Sequence, residues 1–274
     1  MQIALDKTSE EKFERKKLKW WQILFIVVIT LGITASEYIF AYRNVADGIV
    51  LALALTMFIY LMISVFKFDS GITDCSESLA LIPLYILFTA SLPWFFINQQ
   101  FLLPSVYSII LALCLWHIYQ NHLSIHNIFG FQKKKLLKYI LIGIAIGIPT
   151  GTVEYLVLRV SPSFPTFEVK YLLRDTFYMI VFVGIGEELL FRGLIQTDLT
   201  ASFGFKWGLF GASFLFAVMH LTWRSIPELA FVFVAALILG GLYYKTKSLT
   251  ASIVVHGVNN IMLVAVCPYL FRLS

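Results

Sequence analysis

Apolar runs of about twenty residues recur from Trp20 to Leu270, separated by short polar stretches that hold most of the lysines. A helix of ~20 apolar residues is long enough to cross a bilayer, so each run is predicted to be a transmembrane helix. The first extends from Trp20 to near Tyr42; it is too long for a signal-peptide core and lacks a small-x-small cleavage site, which makes it a retained span. Further spans are predicted at about 47–66, 79–98, 103–120, 136–158, 172–197, 206–222, 226–244 and 249–270. The fold class is therefore all-α, a polytopic transmembrane helix bundle of about nine spans, or eight if one proline-bearing run does not cross. Pro83, Pro93 and Pro104 interrupt or bound the third and fourth runs, which neighbouring helices can tolerate by satisfying the freed backbone groups. The chain divides into a charged segment 1–19, N-terminal membrane helices 20–135 and a C-terminal bundle 136–274.

Composition agrees. Of the 274 residues 59% are hydrophobic and 14% charged, against about a quarter charged in soluble domains. The net charge of +5 is no nucleic-acid signal, because the basic residues sit between apolar runs. With nine spans, Lys7 to Lys19, Lys67, Lys133 to Lys138, Lys206, Lys245 and Lys247 fall on one side. Arg43, Arg159, Lys170, Arg174, Arg224 and Arg272 fall on the other. The positive-inside rule makes the lysine-rich side cytoplasmic. The expectation is a multi-pass protein of the cell membrane, with the lipid bilayer as its first partner, its N-terminus cytoplasmic and its C-terminus outside. Cys75, Cys114 and Cys267 are scattered and support neither a disulfide framework nor a thiolate zinc site.

Against this background, Glu187, Glu188 and Arg192 stand out inside an apolar run. An ionised group at mid-membrane costs roughly 2.5–3.5 kcal/mol on the mildest scales, so such groups usually face a protein-lined or wet cavity. Glu188 and Arg192 are four apart, with the acid first, the favourable order for an ion pair on one helix face. Glu187 points about 100° away and stays available for chemistry as a general base.

The later spans carry His220, His256 and Asn260. With a turn near Phe203 and Gly204, Glu187 and His220 each lie about 16 residues, or ~25 Å, along antiparallel helices and are level. Measured from Lys247, Asn260 and His256 fall at ~20 and ~14 Å, in the same band. A carboxylate beside an imidazole can activate water for attack on a carbonyl, and a second imidazole with a carboxamide can stabilise the oxyanion. No G-x-S-x-G occurs and Ser213 has no evident base, so water is the nucleophile expected.

Elsewhere the simpler readings prevail. His122 and His126 are four apart but lack a third ligand in register. Gly143, Gly147 and Gly151 form a doubled G-x-x-x-G for close helix packing. Glu37 and Glu154 can be proton-relay or substrate residues, but interfacial placement or a hydrogen-bonded buried acid is the simpler account of each.

Glu187-Glu188-x-x-x-Arg192, Phe216-x-x-x-His220 and His256-x-x-x-Asn260 together resemble the three motifs of the CAAX prenyl endopeptidase and bacteriocin-processing family (CPBP, or Abi) of intramembrane proteases. The resemblance covers about 170–268 and implies a C-terminal four-helix catalytic core. It implies that Glu187 activates water with His220 beside it, that Glu188 and Arg192 support them, that His256 and Asn260 stabilise the oxyanion, and that Phe216 packs the pocket. It implies an endopeptidase acting on a small, prenylated or lipid-anchored peptide or protein, by CAAX-like, leader or bacteriocin-type processing. Two histidines and a glutamate can also hold zinc with one position open for water. The resemblance implies instead a metal-free glutamate protease with no cofactor, and histidines on separate helices without an H-E-x-x-H pairing lean the same way. The rival readings are a non-catalytic Abi-type scaffold or immunity protein, and a proton- or ion-coupled transporter. The transporter would show paired half-helices or a matching polar break in the other half of the chain, and neither is seen.

Overall fold

A computed structural model describes residues 18–162 and 166–271. Most of the predicted charged segment 1–19, and Arg272, lie outside the described residues. Six helices lead in: α1 (Trp20–Tyr42), α2 (Val45–Val65), α3 (Ser70–Ala90), α4 (Gln99–Gln120), the short α5 (Ile125–Phe129) and α6 (Leu136–Leu158). A long helical run, α7, covers 169–203, and is followed by α8 (Phe205–Val218), α9 (Ile226–Thr246) and α10 (Leu249–Ile261). The described residues contain no strand.

Among the described residues eight helices are long and apolar enough to cross a membrane. The acidic helix α7 is not among them, yet it reaches the same two ends of the bundle. Phe167, just before it, packs edge-on against Tyr269, and Ser202 near its far end accepts from the Cys75 thiol. The predicted span that is not among the eight is thus the sixth, 172–197, which carries the acids and is sheathed by its neighbours: residues 189–196 are all buried.

The turns form where the sequence asks for them. Asn44 caps α2 by accepting from the Ala46 and Asp47 amides at 2.8 and 3.4 Å. Gly204, at φ 88°, supplies the break between α7 and α8 that residues with a Cβ adopt only with strain. The third span differs from its predicted place, lying at Ser70–Ala90 rather than 79–98. Its polar first turns are helical because Ser76 and Ser78 return their hydroxyls to the carbonyls of Ile72 and Cys75. At the other end Pro93 keeps the helix from continuing. Pro83 and Pro104 lie within α3 and α4.

The glycines of α6 set the C-terminal packing. A Cβ on Gly147 would meet Val258 Cβ at 2.7 Å, and Gly143 and Gly151 stand as close to Val254 and to the Asn259 carbonyl of α10. Close approach along this stripe continues one turn to Glu154, which meets Asn259. On its other side α10 packs against α7, where a Cβ on Gly257 would meet Ile180 Cγ1 at 2.8 Å.

Candidate active site

Two π-helical stretches, Tyr178–Gly184 and Leu189–Gln196, flank the turn Ile185–Glu188. Such widened turns are frequent at functional sites. The ion pair survives them: Arg192 Nη1 donates to Glu188 Oε1 at 2.8 Å, with both side chains buried. Arg192 also donates to the Ala236 carbonyl at 3.2 Å and lies 4.5 Å over the Phe216 ring. A buried guanidinium is held here by a carboxylate, a carbonyl and an aromatic face together, as the cost of burying a charge requires.

His256 of α10 joins the two acids. Its Nδ1 is 2.8 Å from Glu188 Oε1 and its Nε2 is 3.5 Å from Glu187 Oε2. Glu188 is paired with Arg192 and acts as acceptor, so Nδ1 carries a proton and Nε2 is the nitrogen that faces Glu187. His220 is oriented in the same way by a different acceptor. Its Nδ1 donates to the Phe216 carbonyl at 2.8 Å, which leaves Nε2 free. Phe216 is the hub of the group, its ring centroid 4.8 Å from His220, 5.7 Å from His256 and 4.9 Å from Phe191.

These side chains border two cavities. The larger, about 550 Å³, is lined by Glu187 and His220 from the C-terminal helices and by Glu37, Tyr85 and Tyr107 from the N-terminal ones. Tyr107 stands beside the Glu187 carboxylate. The smaller, about 30 Å³, is lined by Phe216, His220, His256 and Asn260 with Glu154 and Asn259, and has room for water. His220 borders both. Asn260 and His256, both expected in one pocket with Glu187, line the smaller chamber instead, although His256 still approaches Glu187 through Nε2.

Several polar groups carry no motif signal. Asn259 donates to Glu154, and the buried Glu228 stands beside Glu154. Glu154 is thus the hydrogen-bonded buried acid of the simpler reading. Glu37 is different: it is buried, and among the described residues it makes no hydrogen bond or ion pair. Tyr85 and Tyr107 look like ordinary membrane aromatics in the sequence, and only the packing of α3 and α4 on α7 brings them to Glu187. The pair His122 and His126 lies at the exposed α4–α5 connection. Among the described residues no three His, Cys, Asp or Glu side chains are grouped to hold a metal ion.

Comparison with curated proteins and with solved structures gives no match. Residues 170–262, which hold every motif position from Glu187 to Asn260, match the family model described as type II CAAX prenyl endopeptidase Rce1-like, and the resemblance carried by the three motifs is therefore one to the Rce1-like family.

Proposed function

We propose that this membrane protein is an intramembrane endopeptidase in which Glu187 and His220 activate a water molecule against a peptide carbonyl. At the level of the family, the Rce1-like match supports a CAAX-type intramembrane protease. What supports the finer reading is one observation: Glu187 and His220 border the same large cavity, while a second imidazole spans both acids.

In the proposed reaction Glu187 takes a proton from water, whose oxygen forms a bond to the carbonyl carbon. The carbonyl π electrons move to oxygen, and the oxyanion, pointed past His220 into the smaller chamber, accepts there from His256 Nε2–H, in the doubly protonated ring, and from the Asn260 carboxamide. Glu187 then returns its proton to the amide nitrogen as the C–N bond breaks, leaving a carboxylic acid and an amine. Glu188 and Arg192 hold His256 in orientation throughout. No cofactor is assigned a part. The substrate is a small or lipid-anchored peptide, prenylated or of leader type, reaching the cavity from the bilayer.

The test is cleavage of a fluorogenic peptide library by the full chain in liposomes, with and without a zinc chelator. Glu187→Gln and His220→Ala are each expected to lower kcat by at least about a hundredfold. Undiminished cleavage by Glu187→Gln ends the mechanism. Activity abolished by the chelator and restored by zinc replaces it with a metal-dependent one, and ion flux without any cleavage favours a transporter.

A further inference from the structure

The large cavity has a second acid that the proposed hydrolysis does not use. Glu37 lies on α1, outside the segment that matches the family model. Its side chain lines the cavity that Glu187 and His220 border, yet the residue is only 3% exposed. Buried carboxylates in a membrane bundle are normally paired, because an uncompensated one is costly. Glu37 has neither an ion pair nor a hydrogen bond among the described residues, and no lysine or arginine lines the cavity. Arg224, which meets the end of the same helix, is engaged elsewhere: its Nε donates to the Ala41 carbonyl at 2.8 Å and its guanidinium lies over Tyr42.

The rest of the wall matches that vacancy of positive charge. Tyr85 lies within the electrostatic reach of both Glu37 and Glu187, and Tyr107 adjoins Tyr85 and Glu187. Two acids and two phenols therefore line one cavity, together with apolar groups such as Phe40 and Met219. Glu37 is five residues from the end of α1 at Tyr42, a depth of about 8 Å, within reach of a long cationic side chain that enters with its apolar stem against the cavity wall.

We propose that Glu37 is a specificity residue that binds a positively charged group of the substrate, an alkylammonium or guanidinium, and so positions a peptide whose scissile bond lies at Glu187 and His220. The inference rests on the hydrolase reading for the position of the scissile bond, but not for the binding of the cation. The cation comes either from a lysine or arginine side chain near the cleaved bond or from a free N-terminus. In both cases the ammonium or guanidinium donates to the Glu37 carboxylate, a charge-assisted contact stronger than a neutral one.

The experiment uses the full chain in nanodiscs and a set of short peptides that differ only at one position, carrying lysine, arginine, norleucine or glutamate, each with a free or acetylated N-terminus. Cleavage is expected to favour the cationic peptides by about tenfold or more in kcat/KM, mainly through KM. Glu37→Gln abolishes the preference, Glu37→Arg turns it toward glutamate, and Tyr85→Phe weakens it. Sensitivity to acetylation alone assigns the cation to the N-terminus; sensitivity to the side chain alone assigns it to lysine or arginine. Binding is read separately by tryptophan fluorescence on a Glu187→Gln background, using Trp94 and Trp223, which line the same cavity. Equal affinity for the lysine and norleucine peptides, or a preference that survives Glu37→Gln in a chain with unchanged melting, overturns the proposal. Discriminating binding without cleavage by the wild type instead leaves the cation site standing and removes the hydrolase reading.

Discussion

His256 is bonded through Nδ1 to Glu188, at 2.8 Å, and not to the adjacent Glu187, which its other nitrogen approaches at 3.5 Å. The acid that pairs with Arg192 thus also fixes the tautomer of the histidine. Glu188 is fully buried and holds both Arg192 and His256. Glu187 is left with its Oε2 buried and without a hydrogen-bond partner, an expensive state that an incoming water would relieve.

Breaking that assembly from the cationic side should unfold the bundle more than it alters substrate binding. Removing one partner of a buried ion pair leaves an uncompensated charge, at a cost of about 3–5 kcal/mol. Arg192→Met is expected to lower the melting temperature in detergent strongly, and adding Glu188→Gln to it should recover part of the loss. A double variant no more stable than Arg192→Met would show that the pair is not the source of the effect.

Phe216 should act on chemistry through the two imidazoles it touches. Phe216→Leu keeps an apolar side chain but removes the flat face under His220, His256 and Arg192. Its expected signature is a kcat reduced by roughly tenfold, with KM little changed, because positioning and not uniform binding is lost. A change confined to KM would place Phe216 in substrate binding instead.

The glycine stripe of α6 gives a packing test with an internal control. Gly147→Leu has no room against Val258, whereas a Cβ on Gly241 has no neighbour within 4 Å. Overpacking typically costs about 1–3 kcal/mol, so Gly147→Leu should lower the melting temperature and, by shifting Asn259 and Glu154, reduce cleavage. Gly241→Leu should do neither. Equal melting of the two variants would refute the close α6–α10 contact.

Much of this arrangement was legible before any coordinates, for identifiable reasons. The spans were readable because a bilayer demands long apolar helices, and the break at Gly204 because a short turn between two such runs needs a residue free to adopt positive φ. The Glu188–Arg192 pair followed from i,i+4 spacing alone. The start of α3 lies before the predicted position 79, in a polar stretch whose Ser76 and Ser78 hydroxyls are satisfied by carbonyls of the same helix. The placement of Asn260 and His256 was missed because a height estimate places residues along an axis and says nothing of rotation about it: both line the smaller chamber, whereas Glu187 lines the larger. Glu37, Tyr85 and Tyr107 are brought to the site by contacts between distant helices, which no local pattern encodes.

The last prediction concerns the face on which the large cavity opens. Trp94, Thr222 and Trp223 line it, and they lie at the end of the bundle where α1 ends and α2 begins, since Arg224 donates to the Ala41 carbonyl. The opposite end holds Lys133 to Lys135 and Lys247, where Gly130 packs against the Lys247 and Ser248 backbone. If the lysine-rich end is cytoplasmic, the cavity opens toward the other leaflet, and substrates approach from outside the cell. All three native cysteines are buried, so single cysteines introduced for labelling should stand out. A membrane-impermeant thiol reagent added to intact cells is expected to modify Thr222→Cys and to spare Lys134→Cys until the cells are opened. The reverse pattern would invert the topology and bring substrates from the cytoplasm, while labelling of both positions in intact cells would mean that the α5 region does not lie across the membrane from the cavity mouth.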